Sequence, residues 1–152
     1  MELKPLNETL LPQAEAIEAL CFSLPWSAAM FLPELSDDAC FWICALEGET
    51  LLGYAGMKTV LDEGYISNVA VSPTARRRGI ANRLMEALRE EAERRKLRFL
   101  TLEVRESNEA AIALYRRHGY TLCGRRPNYY ALPTEAALLM TLYFHDRNDE
   151  PC

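Results

Sequence analysis

Residues 68–81 read Asn68-Val69-Ala70-Val71-Ser72-Pro73-Thr74-Ala75-Arg76-Arg77-Arg78-Gly79-Ile80-Ala81. Two elements meet in this stretch. Tyr65 to Val71 is a run of strand formers stopped by Ser72-Pro73. From Ile80 to Arg95, Ala81, Leu84, Met85, Leu88 and Ala92 fall on one helical stripe among charged residues. Glu90 with Arg94 and Glu91 with Arg95 have the spacing of favourable pairs one turn apart. A strand, a short basic loop and a helix therefore follow one another. The start of a helix offers unbonded N–H groups and partial positive charge, which suit a phosphate. Gly79 lets the backbone approach a ligand, Ala81 keeps the next turn small, and Arg76, Arg77 and Arg78 add charge at the mouth. A basic helix start without a ligand fits the same spacing.

Upstream, Glu2 to Leu6 reads as a first strand. Pro12 suits the first turn of a helix whose apolar face is Ile17, Leu20 and Cys21. Ser27 is a candidate N-cap for a second, short helix ending near Leu35. Cys40 to Glu47 and Thr50 to Val60 form a hairpin around Gly48-Glu49. Downstream, Arg98 to Arg105 alternates, with Leu100, Leu102 and Val104 on one face and Phe99, Thr101, Glu103 and Arg105 on the other. Ser107 or Asn108 caps a helix running to His118, which Gly119 ends. Tyr120 to Gly124 and Ala136 to Phe144 read as the last strands. The order β-α-α-β-β-β-α-β-α-β-β predicts a mixed α/β (α+β) domain with helices packed on a central sheet.

The 152 residues, 49% hydrophobic and 26% charged, suit one globular domain, expected over residues 1–146, with a short tail at 147–152. A net charge of −5 argues against nucleic acid as a partner. No apolar run approaches the roughly 20 residues that span a bilayer. Met1 to Pro5 lacks the basic and apolar regions of a signal peptide. No pair among Cys21, Cys40, Cys44, Cys123 and Cys152 has C-x-x-C spacing, and only His118 and His145 could assist, so reduced thiols in a cytoplasmic protein without metal are expected.

Asn68-Val69-Ala70-Val71 followed by Arg76-x-x-Gly79-x-Ala81 and an amphipathic helix resembles the acetyl-CoA-binding core of the GNAT superfamily of N-acetyltransferases. The run from Leu102 to Tyr120, Leu-Glu-Val-Arg-Glu-Ser-Asn-Glu-Ala-Ala-Ile-Ala-Leu-Tyr then Gly119-Tyr120, resembles the RimI-type branch, which acetylates protein N-termini. Pro25-Trp26-Ser27, the Arg125 to Tyr130 segment and Glu135-Ala136 are similar to that branch as well. Pro127 and the short Ala131-Leu132-Pro133-Thr134 loop depart from it, on the acceptor side.

The resemblance implies a mostly antiparallel sheet with helices on both faces. It also implies that two central strands splay apart to admit the thioester. Acetyl-CoA would lie with its pyrophosphate on Arg76, Arg77, Arg78, Gly79, Ile80, Ala81 and Asn82. The backbone of Val69, Ala70 and Val71 would pair with the peptide-like pantetheine arm, and Asn108 would touch that arm. Acyl transfer to an amine needs a base for the ammonium proton and an acid for the departing thiolate. Glu103, on the more polar face of its strand, matches the family's base, where partial burial would raise its pKa, and Tyr115 matches its acid. The acceptor implied is a protein N-terminus, foremost the N-terminal alanine of ribosomal small-subunit protein eighteen. Lysine side chains, other N-termini and small amines remain alternatives, as does a non-catalytic acyl-CoA-binding module. Trp26, Phe31, Tyr129 and Tyr130 are candidate acceptor-side aromatics, and Glu34, Asp37 and Asp38 could supply charge there.

Overall fold

The computed structural model describes residues 1–144. His145, Cys152 and the expected tail at 147–152 lie outside them. Among the described residues seven strands and four α-helices follow one another: β1 Glu2–Pro5, α1 Leu11–Cys21, α2 Ala28–Leu35, β2 Cys40–Glu47, β3 Thr50–Val60, β4 Glu63–Val71, α3 Ile80–Arg94, β5 Phe99–Arg105, α4 Glu109–Arg117, β6 Thr121–Tyr130 and β7 Glu135–Tyr143. This is the order of strands and helices that the sequence predicts. The strands form one sheet in the order β1-β2-β3-β4-β5-β7-β6. It is mostly antiparallel, with β4 and β5 parallel. Tertiary contacts divide the chain into two compact units, Met1–Lys58 with Ser67–Leu88, and Thr59–Ile66 with the chain from Arg89 onward.

In the first unit, β1 and β3 flank β2 in antiparallel register, Lys4 opposite Cys44 and Cys44 opposite Tyr54. Phe31 of α2 is fully buried against Trp26, Trp42 and Tyr54, with ring centroids 5.1, 5.2 and 5.6 Å away. Burying such a side chain contributes roughly 1.5–3 kcal/mol. The Trp42 ring fills the space beside Gly56, where a Cβ would stand 2.2 Å from it. At Gly53 a Cβ would meet the Ala70 carbonyl oxygen at 2.7 Å, so glycine lets β3 lie close along β4. Two helix expectations change. Ser27 takes the N-cap backbone position without a side-chain bond, and the Glu15 carboxylate instead accepts from Ala28 N–H at 2.7 Å. On α1 the inward stripe holds Leu11, Ala14, Ile17 and Glu18, while Leu20, expected inside, is 69% exposed.

In the second unit, β7 pairs with β5 on one side, Glu103 opposite Leu139, and with β6 on the other, Thr121 opposite Thr141. Leu100, Leu102 and Val104 are buried, as the alternation of β5 requires. Asn108 is the cap of α4, its Oδ1 accepting from Ala111 N–H at 3.2 Å. Gly119 follows the helix with φ of 93°, a left-handed backbone that favours glycine. Arg95 pairs with Glu91 at the expected spacing, but Arg94 also turns to Glu91. β6 is longer than expected. It continues past Gly124 through Arg125 and Pro127 to Tyr130, with register shifts after Leu122 and Arg126. An edge strand tolerates the proline because only one of its sides must donate to a ladder.

Candidate active site

The first unit carries the loop between β4 and α3. Gly79 has φ of 75° and open space where a Cβ would stand. Arg83 N–H is bonded back to Gly79 O at 3.2 Å, so the first-turn amides precede the helical ladder. Ile80 is buried and anchors α3, while Ala81 and Asn82 are half-buried. The three arginines do not act as one cationic island. Arg78 is paired with Glu47 at 2.7 Å and holds that carboxyl below its ordinary value. Arg76 lies back on the strand end, Nε 3.4 Å from Val71 O and Nη2 3.4 Å from Cys21 Sγ. Arg77 is exposed in a left-handed conformation, φ 65°. A glycine without side-chain hindrance, helix-start amides and an exposed arginine are the donor set that a pyrophosphate takes. Val69 and Val71 are half-buried on β4 and Ala70 is buried.

Behind this loop lies a polar node that the α1 pattern did not reveal. Glu18 is 1% exposed. Its Oε2 accepts from Tyr54 Oη at 2.5 Å and Asn68 Nδ2 at 2.8 Å, and its Oε1 from Trp26 N–H at 2.8 Å. Burial raises the carboxyl above its ordinary value, and the three donors oppose that shift. The node thus joins α1, β3, the first residue of the Asn68-Val69-Ala70-Val71 segment and the Pro25-Trp26-Ser27 element.

The second unit brings together Glu103, Arg126 and Tyr129. The Tyr129 hydroxyl donates to Glu103 Oε1 at 3.0 Å, and Arg126 Nη1 lies 3.3 Å from Oε2. The guanidinium of Arg126 stands 5.8 Å from the Tyr129 ring centroid. Glu103 is exposed. Its surroundings are nonetheless defined by a phenol and a cation. Tyr115 is 8% exposed on α4, and burial pushes its phenol up to about 12. Its ring is 6.0 Å from that of Tyr120, whose buried hydroxyl has no partner among the described residues. Asn108 is exposed at the start of the same helix.

The acceptor-side candidates divide. Tyr129 and Tyr130 pack edge to face, centroids 5.0 Å apart, at the end of β6. Phe31 belongs to the core, because the Trp26, Trp42 and Tyr54 rings enclose it. Glu34 accepts from Trp42 Nε1 at 3.0 Å, and Asp37 from Ala39 N–H at 2.9 Å, so both serve local structure. Among the described residues no group of His, Cys, Asp and Glu side chains could hold a metal, and no helix is long and apolar enough to cross a membrane.

A mostly antiparallel seven-stranded sheet of this strand order, with helices between its strands, is the fold of an acyltransferase class. The chain belongs to the Acetyltransferase (GNAT) family, which matches residues 11–120. It is an acetyl-CoA-dependent N-acetyltransferase of the RimI type. It is 37% identical over 144 residues to the ribosomal protein bS18-alanine N-acetyltransferase of Escherichia coli K12, covering 92% of this chain and 95% of that one. The crystal structure of the ribosomal-protein-S18-alanine N-acetyltransferase from Escherichia coli superposes with a TM-score of 0.87 at 33% identity, over 98% of this chain and 97% of that one. Arabidopsis thaliana NAA60 in complex with acetyl-CoA shares the fold, with a TM-score of 0.84 at 21% identity and coverage of 94% and 99%.

Proposed function

We propose that this protein acetylates the α-amine of a protein N-terminus in the cytoplasm, with the N-terminal alanine of ribosomal protein bS18 as its foremost acceptor. The observation that carries this reading is the presence of Glu103 and Tyr115 in a chain that matches a bS18-alanine N-acetyltransferase over 92% of its length. Acetyl-CoA supplies an acetyl group activated as a thioester. Glu103, a carboxylate near the protein surface, takes the proton of the acceptor ammonium, directly or through one water. Tyr115 keeps its proton at neutral pH, because burial raises it to about 12, and delivers it to the leaving sulfur. Arg76 to Asn82 hold the pyrophosphate, with Gly79 giving close approach and Arg77 the exposed charge. The Val69, Ala70 and Val71 backbone pairs with the pantetheine amides, and Asn108 meets the same arm. The β4–β5 ladder comprises Glu63, Gly64 and Tyr65 with Phe99, Leu100 and Thr101, so the remaining backbone of β4 lies outside it.

Glu103→Gln tests the reading, with an alanine-first acceptor peptide. The substitution keeps the shape and removes the base. Turnover should fall by about 10²–10⁴-fold, the usual contribution of a positioned base. Affinity for CoA, measured by calorimetry, should be unchanged. Turnover equal to the parent's removes Glu103 from the mechanism.

A further inference from the structure

Arg105 ends β5 two residues after Glu103, on the same face of the strand. Its guanidinium reaches into the turn that joins β6 to β7. Nη2 donates to Ala131 O at 2.7 Å, and Nη1 donates to Pro133 O at 2.9 Å and to Glu135 Oε1 at 3.1 Å. The guanidinium carbon stands 4.6 Å from the centroid of the Tyr130 ring. The second oxygen of Glu135 accepts from Ser107 N–H at 2.6 Å, which ties the turn to the segment entering α4. Together these contacts hold the end of β6 from three directions: the face of Tyr130, two carbonyls of the turn, and the first residue of β7.

The residues so held reach the base. Tyr129 packs on Tyr130, and its hydroxyl donates to Glu103. Tyr130 also lies close enough to Tyr115 to add to the upward displacement of that phenol. An unbroken path of contacts therefore runs from Arg105 through Tyr130 and Tyr129 to Glu103.

We propose that Arg105 is a positioning residue for acceptor binding: by bracing the turn from Ala131 to Thr134, it sets where Tyr129 and Tyr130 stand beside Glu103. The role needs arginine. A planar guanidinium can donate to two carbonyls and a carboxylate while its face covers a ring, whereas an ammonium is a point charge on a flexible stem. The turn is only four residues long, between the paired residues Tyr130 and Glu135, and the guanidinium holds two of its carbonyls. The inference deepens the proposed function and rests on Glu103 being the base.

The test uses the full chain with Arg105→Lys, Arg105→Gln and Glu135→Gln. Two readouts are needed: steady-state kinetics with an alanine-first peptide, and amide hydrogen exchange followed by mass spectrometry. The expected result for both Arg105 variants is a fall in kcat/KM for the peptide of about 10- to 100-fold, the scale of a small misplacement of reacting groups. The KM for acetyl-CoA should stay within about twofold of the parent's, as expected when only acceptor positioning is lost. Exchange should rise across residues 129–135 and remain as in the parent across α3. Glu135→Gln, which removes one arm and leaves the guanidinium in place, should shift the same quantities less. The inference is overturned if Arg105→Lys behaves as the parent. It is equally overturned if peptide and acetyl-CoA parameters decline together with thermal stability, or if exchange in residues 129–135 is unchanged. Failure of the functional reading has a different signature: a parent chain that acetylates no peptide while the exchange response to Arg105→Gln persists.

Discussion

Glu103 and Tyr115 show how differently the two side chains proposed as base and acid are set by their surroundings. Glu103 is exposed and lies between a phenol and a guanidinium, so its environment is electrostatic rather than desolvated. Tyr115 is buried, and desolvation of its phenolate raises the group to about 12, with Tyr130 adding to the shift. A tyrosine whose value is raised stays protonated to higher pH. Its loss as an acid therefore begins only above about pH 11, beyond the ordinary tyrosine range near 10. The pH profile of kcat should show no basic limb that belongs to Tyr115 below that point. A limb near pH 10 that vanishes in Tyr115→Phe would contradict the assignment. Both candidates were singled out in the sequence through the Leu102 to Tyr120 run. Their partners were not, because Arg126 and Tyr129 are more than twenty positions from Glu103 and reach it only through the β5–β7–β6 pairing.

At the scale of elements, α1 is where local pattern and tertiary context disagree. Spacing alone puts Leu20 beside Ile17 and Cys21, one turn apart. The helix instead turns Glu18 inward, because Tyr54, Asn68 and Trp26 offer it three donors. Two of those donors come from 36 and 50 residues away, beyond any window in which periodicity is read. Glu18→Gln places an amide N–H₂ against these donors. It should destabilise the protein by about 1–3 kcal/mol, the cost of leaving buried polar groups unmatched. The pH dependence has a definite sign. The carboxyl is raised above its ordinary value of 4.5 in the folded protein, so folding favours its protonated form. That contribution is complete below 4.5 and is lost as pH rises through the raised value. The stability gap between parent and Glu18→Gln should therefore narrow with rising pH in that window, as followed by denaturant unfolding. A gap that widens would contradict the assignment. β6 offers the companion lesson. Arginine, proline and asparagine there resemble a loop, yet pairing with β7 extends the strand to Tyr130.

For the molecule as a whole, the order of strands and helices and the class of chemistry were legible, because both rest on contiguous motifs. Asn68 to Ala81 specifies a strand, a basic loop and a helix start within fourteen positions. The braces were not legible. Arg105 on the β6–β7 turn and Glu18 beneath Trp26 and Asn68 are contacts between distant segments. The paired state of Arg76 and Arg78 likewise depends on Cys21 and Glu47, far earlier in the chain. The central claim concerns the acceptor. It is tested most directly by incubating the protein and acetyl-CoA with an equimolar mixture of acceptors. These are a peptide bearing the N-terminal alanine of bS18, the same peptide with a blocked N-terminus and an internal lysine, and a small polyamine. Fragment mass spectrometry then locates the acetyl group. The account predicts one acetyl group on the alanine α-amine and none on the other acceptors at early times. Acetyl appearing first on the lysine or the polyamine, with the alanine left free, would contradict it.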